Sequence, residues 1–113
     1  MNKMSRGFIV FVRQYMLAFP GVTEGICFAT VAFYVQKKLL VRMKEDDLTL
    51  VVYSPDRDEW TNTDAASFFI TDHYKNYPFV LVNLATVKKK DLSRLLFEAW
   101  KSRAGKKLLQ QHD

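Results

Sequence analysis

The sequence predicts a two-layer α+β domain in which helices pack on one face of an antiparallel sheet. Three observations carry that expectation. Residues 25–53 hold four short runs rich in β-branched and aromatic side chains, too closely spaced for the long crossovers that parallel strands need. Segments at the two ends of the chain repeat their apolar residues at the helical interval. Residues 79–84 form an apolar run of strand length, continuous enough to lie inside a sheet.

The first helix is expected over about 5–19, with Phe8, Val12, Tyr15, Met16 and Phe19 on one stripe, Ser5 as a cap and Pro20-Gly21 as the stop. Ile9-Val10 alone would suit a strand, but the length and the stop favour a helix. The four strand runs are "ICFA", "AFYV", "KLLVRM" and "LTLVVYS", with turns at Thr30, Gln36-Lys37 and Glu45-Asp46-Asp47. "SPDRDEW" begins a second helix: Ser54 would cap, Pro55 suits a first position, and Asp56, Asp58 and Glu59 meet the positive end of the dipole. A short "SFFI" piece would pair with the strand at 79–84. The last helix spans about 88–104, with Leu92, Leu95, Leu96, Ala99 and Trp100 inward and Lys90, Arg94 and Lys101 outward. Gly105 would end it, leaving "KKLLQQHD" as a last turn and tail.

With 113 residues, 49% of them hydrophobic, the chain reads as one domain, 1–113, that can bury a core without staples. Its single cysteine, Cys27, excludes a disulfide framework and reads as a small buried hydrophobe in a reducing compartment. "GFIVFVRQYMLAF" is interrupted by Arg13 and Gln14, and no run reaches the roughly 18 apolar residues of a membrane span. A soluble, cytoplasmic domain with no membrane partner is expected.

Bond-making chemistry is hard to assemble from these residues. There are two histidines, His73 and His112, and the second falls in the expected tail. One cysteine and one ordered histidine do not make a soft-metal site, so no metal is expected. The four glycines are isolated, which removes the usual glycine-rich phosphate cradle, and no cofactor is expected. The reading is a protein that is not an enzyme.

Charge placement says more. Residues 1–87 carry nine basic and nine acidic side chains, whereas residues 88–113 carry eight basic and three acidic, so the whole net charge of +5 sits in the last segment. Lys88, Lys89 and Lys90 stand where the helix dipole disfavours cations, and a docking anion would relieve that repulsion. In "TDHYKNYPF", His73, Tyr74 and Tyr77 could stack on bases; the alternative is a structural corner in which the same groups tie down the loop.

Taken in order, several pieces resemble the MmcQ/YjbR family of small bacterial proteins. They are Pro20-Gly21-Val22 with Glu24, the strand pair "AFYVQKKLLVRM", the arginine in "DRDEW", the segment "FFITDHYKNYPFVLVNLATV", and "LLFEAW" in the last helix. The resemblance covers about 13–109 and implies an α+β fold similar to that of secretion chaperones. It also implies a label, predicted DNA-binding, without a reaction or catalytic residues. Two departures stand out: Gln36-Lys37-Lys38 replace the glycine expected at the second hairpin turn, and Ile26, Cys27 and Phe28 stand where a histidine or tryptophan is common.

The functional expectation is therefore a small binding module with weak, non-specific affinity for nucleic acid. Lys88, Lys89, Lys90, Arg94 and Lys101 would meet phosphates, joined by His73, Tyr74 and Tyr77 if all face one side. A second expectation is a protein-interaction or chaperone-like module that uses an exposed sheet face or forms a homodimer through it. A third, a small-molecule pocket beside His73, requires a concave cavity with converging polar groups.

Overall fold

The structure is a computed structural model that describes the backbone of residues 3–112 and the side chains of residues 7–112. The chain runs α1 (Lys3–Leu17), β1 (Val22–Cys27), β2 (Thr30–Val35), β3 (Lys38–Met43), β4 (Thr49–Tyr53), α2 (Arg57–Thr63), β5 (Phe68–Phe69), a 3₁₀ turn (Asp72–Tyr74), β6 (Phe79–Asn83), α3 (Lys89–Arg103) and α4 (Lys106–His112). All six strands join one antiparallel sheet, in the order β1-β2-β3-β4-β6-β5. This is the α+β architecture expected from the sequence, and β6 lies inside the sheet with the short β5 as its partner, Phe68 facing Val82 and Phe69 facing Leu81.

Strand alternation divides the sheet into two unlike faces. Leu50 and Val52 of β4 and Val80 and Val82 of β6 point into the main core, where α1 contributes Ile9, Val12, Met16 and Phe19. From α3 the same core takes Leu92, Leu95, Leu96, Ala99 and Trp100, as the stripe predicts. Each fully buried leucine there contributes about 1.5–3 kcal/mol. Trp60 of α2 packs on Phe68 at 5.0 Å, so α2 closes the same layer near the β5 edge. On the outer face Val51 and Leu81 are covered by Tyr74, with Phe69 and Phe79 beside them. The 71–77 loop thus folds over the side of the sheet that the helices leave free.

A bulge tunes the faces. The β2–β3 register shifts between Phe33, opposite Val41, and Tyr34, opposite Leu39, leaving Leu40 without a partner. Leu40 and Val41 consequently both enter the core, and Arg42 returns to the outer face.

Several boundaries differ from expectation. The backbone of α1 is helical from Lys3 and ends at Leu17; the side chain of Ser5, the expected cap, lies outside the described residues. Residues 28 and 29 of the expected first strand instead form the β1–β2 turn, with φ of 51° at Phe28 and 64° at Ala29, and Thr30 opens β2. Ser54 does not cap α2: it is buried at the end of β4 and its amide donates to Pro78 O at 2.7 Å, so the helix starts only after Pro55-Asp56 has turned the chain. The expected tail is α4, whose His112 stacks on Phe19 at 5.3 Å and packs at a tilt against Phe97 and Trp100 at 5.5 and 5.1 Å. Cys27 is partly exposed rather than buried, because it ends β1, an edge strand of the sheet.

Candidate binding groove

The 71–77 loop is held as a corner by Arg57 at the start of α2. Its Nη1 donates to Tyr74 O at 2.7 Å, to Phe79 O at 3.2 Å and to Tyr77 O, while Nη2 donates to Lys75 O. One guanidinium therefore gathers four carbonyls of the loop and its exit, two of which, Tyr74 O and Tyr77 O, also accept the amides of Tyr77 and Phe79. This is why the segment crowds polar and aromatic residues: the loop is tied from inside, and its side chains are free to line something.

What they line is a concavity on the outer face. Tyr74, only 9% exposed, lies across β4 and β6 and accepts a hydrogen bond from Arg42 Nη2 at 3.0 Å. Arg42 is 5% exposed, deep for a cation. Its Nη1 reaches Thr30 Oγ1 at 3.4 Å, Met43 O at 3.3 Å and Glu45 Oε1 at 3.3 Å, but its buried Nε has no partner. Burial works to lower the Arg42 pKa, and Tyr74 and Glu45 outweigh it, leaving the group above its ordinary value. The carboxyl of Glu45 is held below its usual range by its own amide and by Arg42.

Above Arg42 stands Phe28 at the tip of the β1–β2 hairpin. The guanidinium carbon is 5.0 Å from the ring centroid, a cation–π contact. Phe28 is 72% exposed and left-handed, a costly conformation for a non-glycine residue. Between Phe28, Arg42, Lys44 and Glu45 on one side and Thr71, His73 and Tyr74 on the other is a concavity of about 300 Å³. A second, of about 280 Å³, shares Phe28, Arg42, His73 and Tyr74 and continues toward Leu39, Tyr77 and Phe79. The His73 ring stands edge-on to Tyr74 at 4.7 Å, and Tyr77 is 56% exposed. A cavity beside His73 with converging polar groups is thus present, and the two concavities make one groove.

The structure does not bring the eight expected site residues together. Lys88 is the residue before α3, Lys89 and Lys90 begin it, and no side chain caps this end. Lys89 lies over the Phe11 ring at 5.3 Å, and Arg94 pairs with Glu98 at 3.1 Å while covering Trp60. Lys101 is a turn from the other end of α3, 6.0 Å from the Phe97 ring. All five belong to the helical layer, whereas His73, Tyr74 and Tyr77 belong to the opposite face of the sheet. The geometry for a single surface is absent, and Tyr74 is enclosed beneath the groove rather than offered to a stacking partner. Sequence reasoning missed Arg42, Lys44 and Phe28. The available signal was an arginine inside the apolar run "LLVRM", on the face opposite Val41 and Met43.

The solved structures place this architecture. Its fold matches a domain of Deinococcus radiodurans. That crystal structure, assigned to the family DUF419, superposes with a TM-score of 0.70 over 91% of this chain and 86% of the other, at 21% identity. The likeness is one of fold. Uncharacterised proteins of Mycobacterium tuberculosis and Mycobacterium bovis are 46% identical over 43 residues, 38% of this chain. The match spans 33% of the length of those relatives. No protein-family model matches the chain. Among the described residues no helix is long and apolar enough to cross a membrane.

Proposed function

We propose that this chain is an MmcQ/YjbR-like binding module whose functional surface is the outer-face groove, where Arg42 receives an anionic group. The family reading is supported by the DUF419 neighbour, since DUF419 is related to MmcQ/YjbR-like folds. One observation carries the ligand reading: Arg42 is almost wholly buried with an unpartnered Nε, and the same residue lines a concavity of about 300 Å³. Leaving a buried donor unpaired costs about 1–3 kcal/mol, and more when the group is charged, so an incoming acceptor recovers what the empty fold forgoes. The groove offers a cation and aromatic walls, a composition suited to holding a ligand.

The test is a titration with sodium acetate followed by amide and arginine Nε–H resonances. The Phe28, Arg42, Lys44 and His73 signals should move together and saturate. They should stay still in Arg42→Gln, and move as in wild type when Lys88, Lys89 and Lys90 are changed to Gln. Groove signals that fail to move in the wild type would remove the proposal.

A second reading keeps a weak contact with nucleic acid through Lys88, Lys89 and Lys90. The observation that favours it is the end of α3, where three lysines and uncapped amides meet a single acidic residue, Asp91. It needs no contribution from the 71–77 loop.

A further inference from the structure

From the same groove we infer the ligand's class: a planar aromatic ring carrying one negative charge, such as an aromatic monocarboxylate, with the anion on Arg42 and the ring between Phe28 and His73. This rests on the proposal that the groove is the binding surface, and adds what the occupant must look like. Two independent features point to it.

The first is charge. The ionised groups that line the first concavity with Arg42 are Lys44 and Glu45, so the three sum to one positive charge, while Arg103 lies at the far end of the second, against Leu39 and Phe79. A singly charged anion leaves the site neutral. A dianion would leave an excess negative charge in a partly enclosed site beside Glu45, where repulsion is screened less than in open water. Arg42 also presents unused donors: Nε has no partner, and Nη2 donates only to the Tyr74 hydroxyl among the described residues. A carboxylate accepts from two such N–H groups at once.

The second is the position of Phe28. A hairpin tip with left-handed φ is inexpensive for Asn or Gly and unfavourable for phenylalanine, and this ring is also left mostly in water. Its visible partner is the Arg42 guanidinium, whose carbon lies 5.0 Å from the ring centroid. Phe28 lines both concavities together with Arg42, and its ring is one wall of the groove. His73, exposed and braced edge-on by Tyr74, is the opposite wall. A flat ring fits between two flat walls, and offset or edge-on contact adds to the area that it buries.

The experiment compares benzoate, acetate, benzamide and phenyl phosphate on the full chain by the same resonances, in wild type, Phe28→Ala and Arg42→Gln. Benzoate should bind about tenfold tighter than acetate, the gain expected for one stacked ring, and benzamide about tenfold weaker than benzoate. Phenyl phosphate as a dianion should bind no tighter than benzoate. Phe28→Ala, at an exposed position, keeps the fold and should bring benzoate down to the level that acetate shows in the same variant. Arg42→Gln should lose both. Equal affinity for benzoate and acetate, tight binding of benzamide, a preference for the phosphate dianion, or a ring preference that survives Phe28→Ala each overturns the inference. In the first and last of these, acetate shifts that still depend on Arg42 leave the binding-groove proposal standing; if acetate and benzoate both leave the groove unmoved, the two fall together.

Discussion

At the scale of single residues, hydrogen bonding sets the stability of the β3–β4 connection. Asp46 Oδ1 accepts the amides of Leu48 and Thr49, each at 2.9 Å, and Oδ2 accepts the Thr49 hydroxyl at 2.8 Å. Burial pushes the Asp46 pKa up, but these donors outweigh it and the carboxyl lies below its ordinary value. A depressed folded-state pKa means stabilisation that is complete above the unfolded value, near 3.9, and lost as pH falls through the folded one. Asp46→Ala should therefore lower the urea midpoint at pH 7 by an amount equivalent to about 1 kcal/mol. The gap should narrow progressively below about pH 4. A difference that stays constant down to pH 2 would mean that the carboxylate charge contributes nothing. The same scale explains what the sequence concealed in the candidate site. Arg42 is deep only because Tyr74, 32 residues later, folds over it, and nothing near residue 42 announces that lid. His73, Tyr74 and Tyr77 were conspicuous as residue types, yet the face each occupies is decided by Arg57 gathering the loop's carbonyls.

Among the elements, the hairpins are where local preference and the fold disagree. Both two-residue turns use left-handed backbone without glycine, Phe28-Ala29 in the first and Gln36-Lys37 in the second, where φ is 50° and 69°. The chain geometry that joins twisted strands demands these angles, and the side chains tolerate them at a cost. Lys37 is exposed, so Lys37→Gly should relieve strain without disturbing packing and raise stability by about 0.5–1 kcal/mol after the entropic cost of glycine. Thermal denaturation would show it; a lower midpoint would mean that the left-handed turn is not a source of strain. The period-two runs made β2, β3, β4 and β6 legible, and α3 was legible from its stripe, because those patterns report burial on one or both faces. The start of β1 was not. Val22–Cys27 contains Glu24 and Gly25, residues with poor strand preference, and is held by register with β2 and by Glu24 pairing with Arg13 of α1 at 2.8 Å. The α4 helix was hidden for a similar reason: seven residues are too few to be helical alone, and α4 persists because Leu108 packs over Gly21 and His112 over the Phe19-Trp100 cluster.

For the whole molecule, the decisive fact is that the sheet separates two chemically different surfaces. One layer carries α3 and its lysines; the opposite face carries the groove, with a single excess positive charge among Arg42, Lys44 and Glu45. A phosphate backbone held at the first turn of α3 lies on the layer opposite the 71–77 loop, so the contacts available to it are fewer than the charge total suggests. Arg94 is already paired with Glu98, and Lys101 is separated from the first turn by most of the helix, which leaves Lys88, Lys89 and Lys90. Three released counterions give a log–log salt slope of about −2 to −3 on duplex DNA, where engagement of all five basic residues would give about −4 to −5. Replacing Lys88, Lys89 and Lys90 with Gln should abolish whatever duplex binding is measurable at low salt, whereas His73→Ala and Tyr77→Ala should leave both affinity and slope unchanged. A slope near −5 that falls when His73 or Tyr77 is changed would require one ligand to span both faces of the sheet, and the separation of surfaces on which the groove proposal stands would then be wrong.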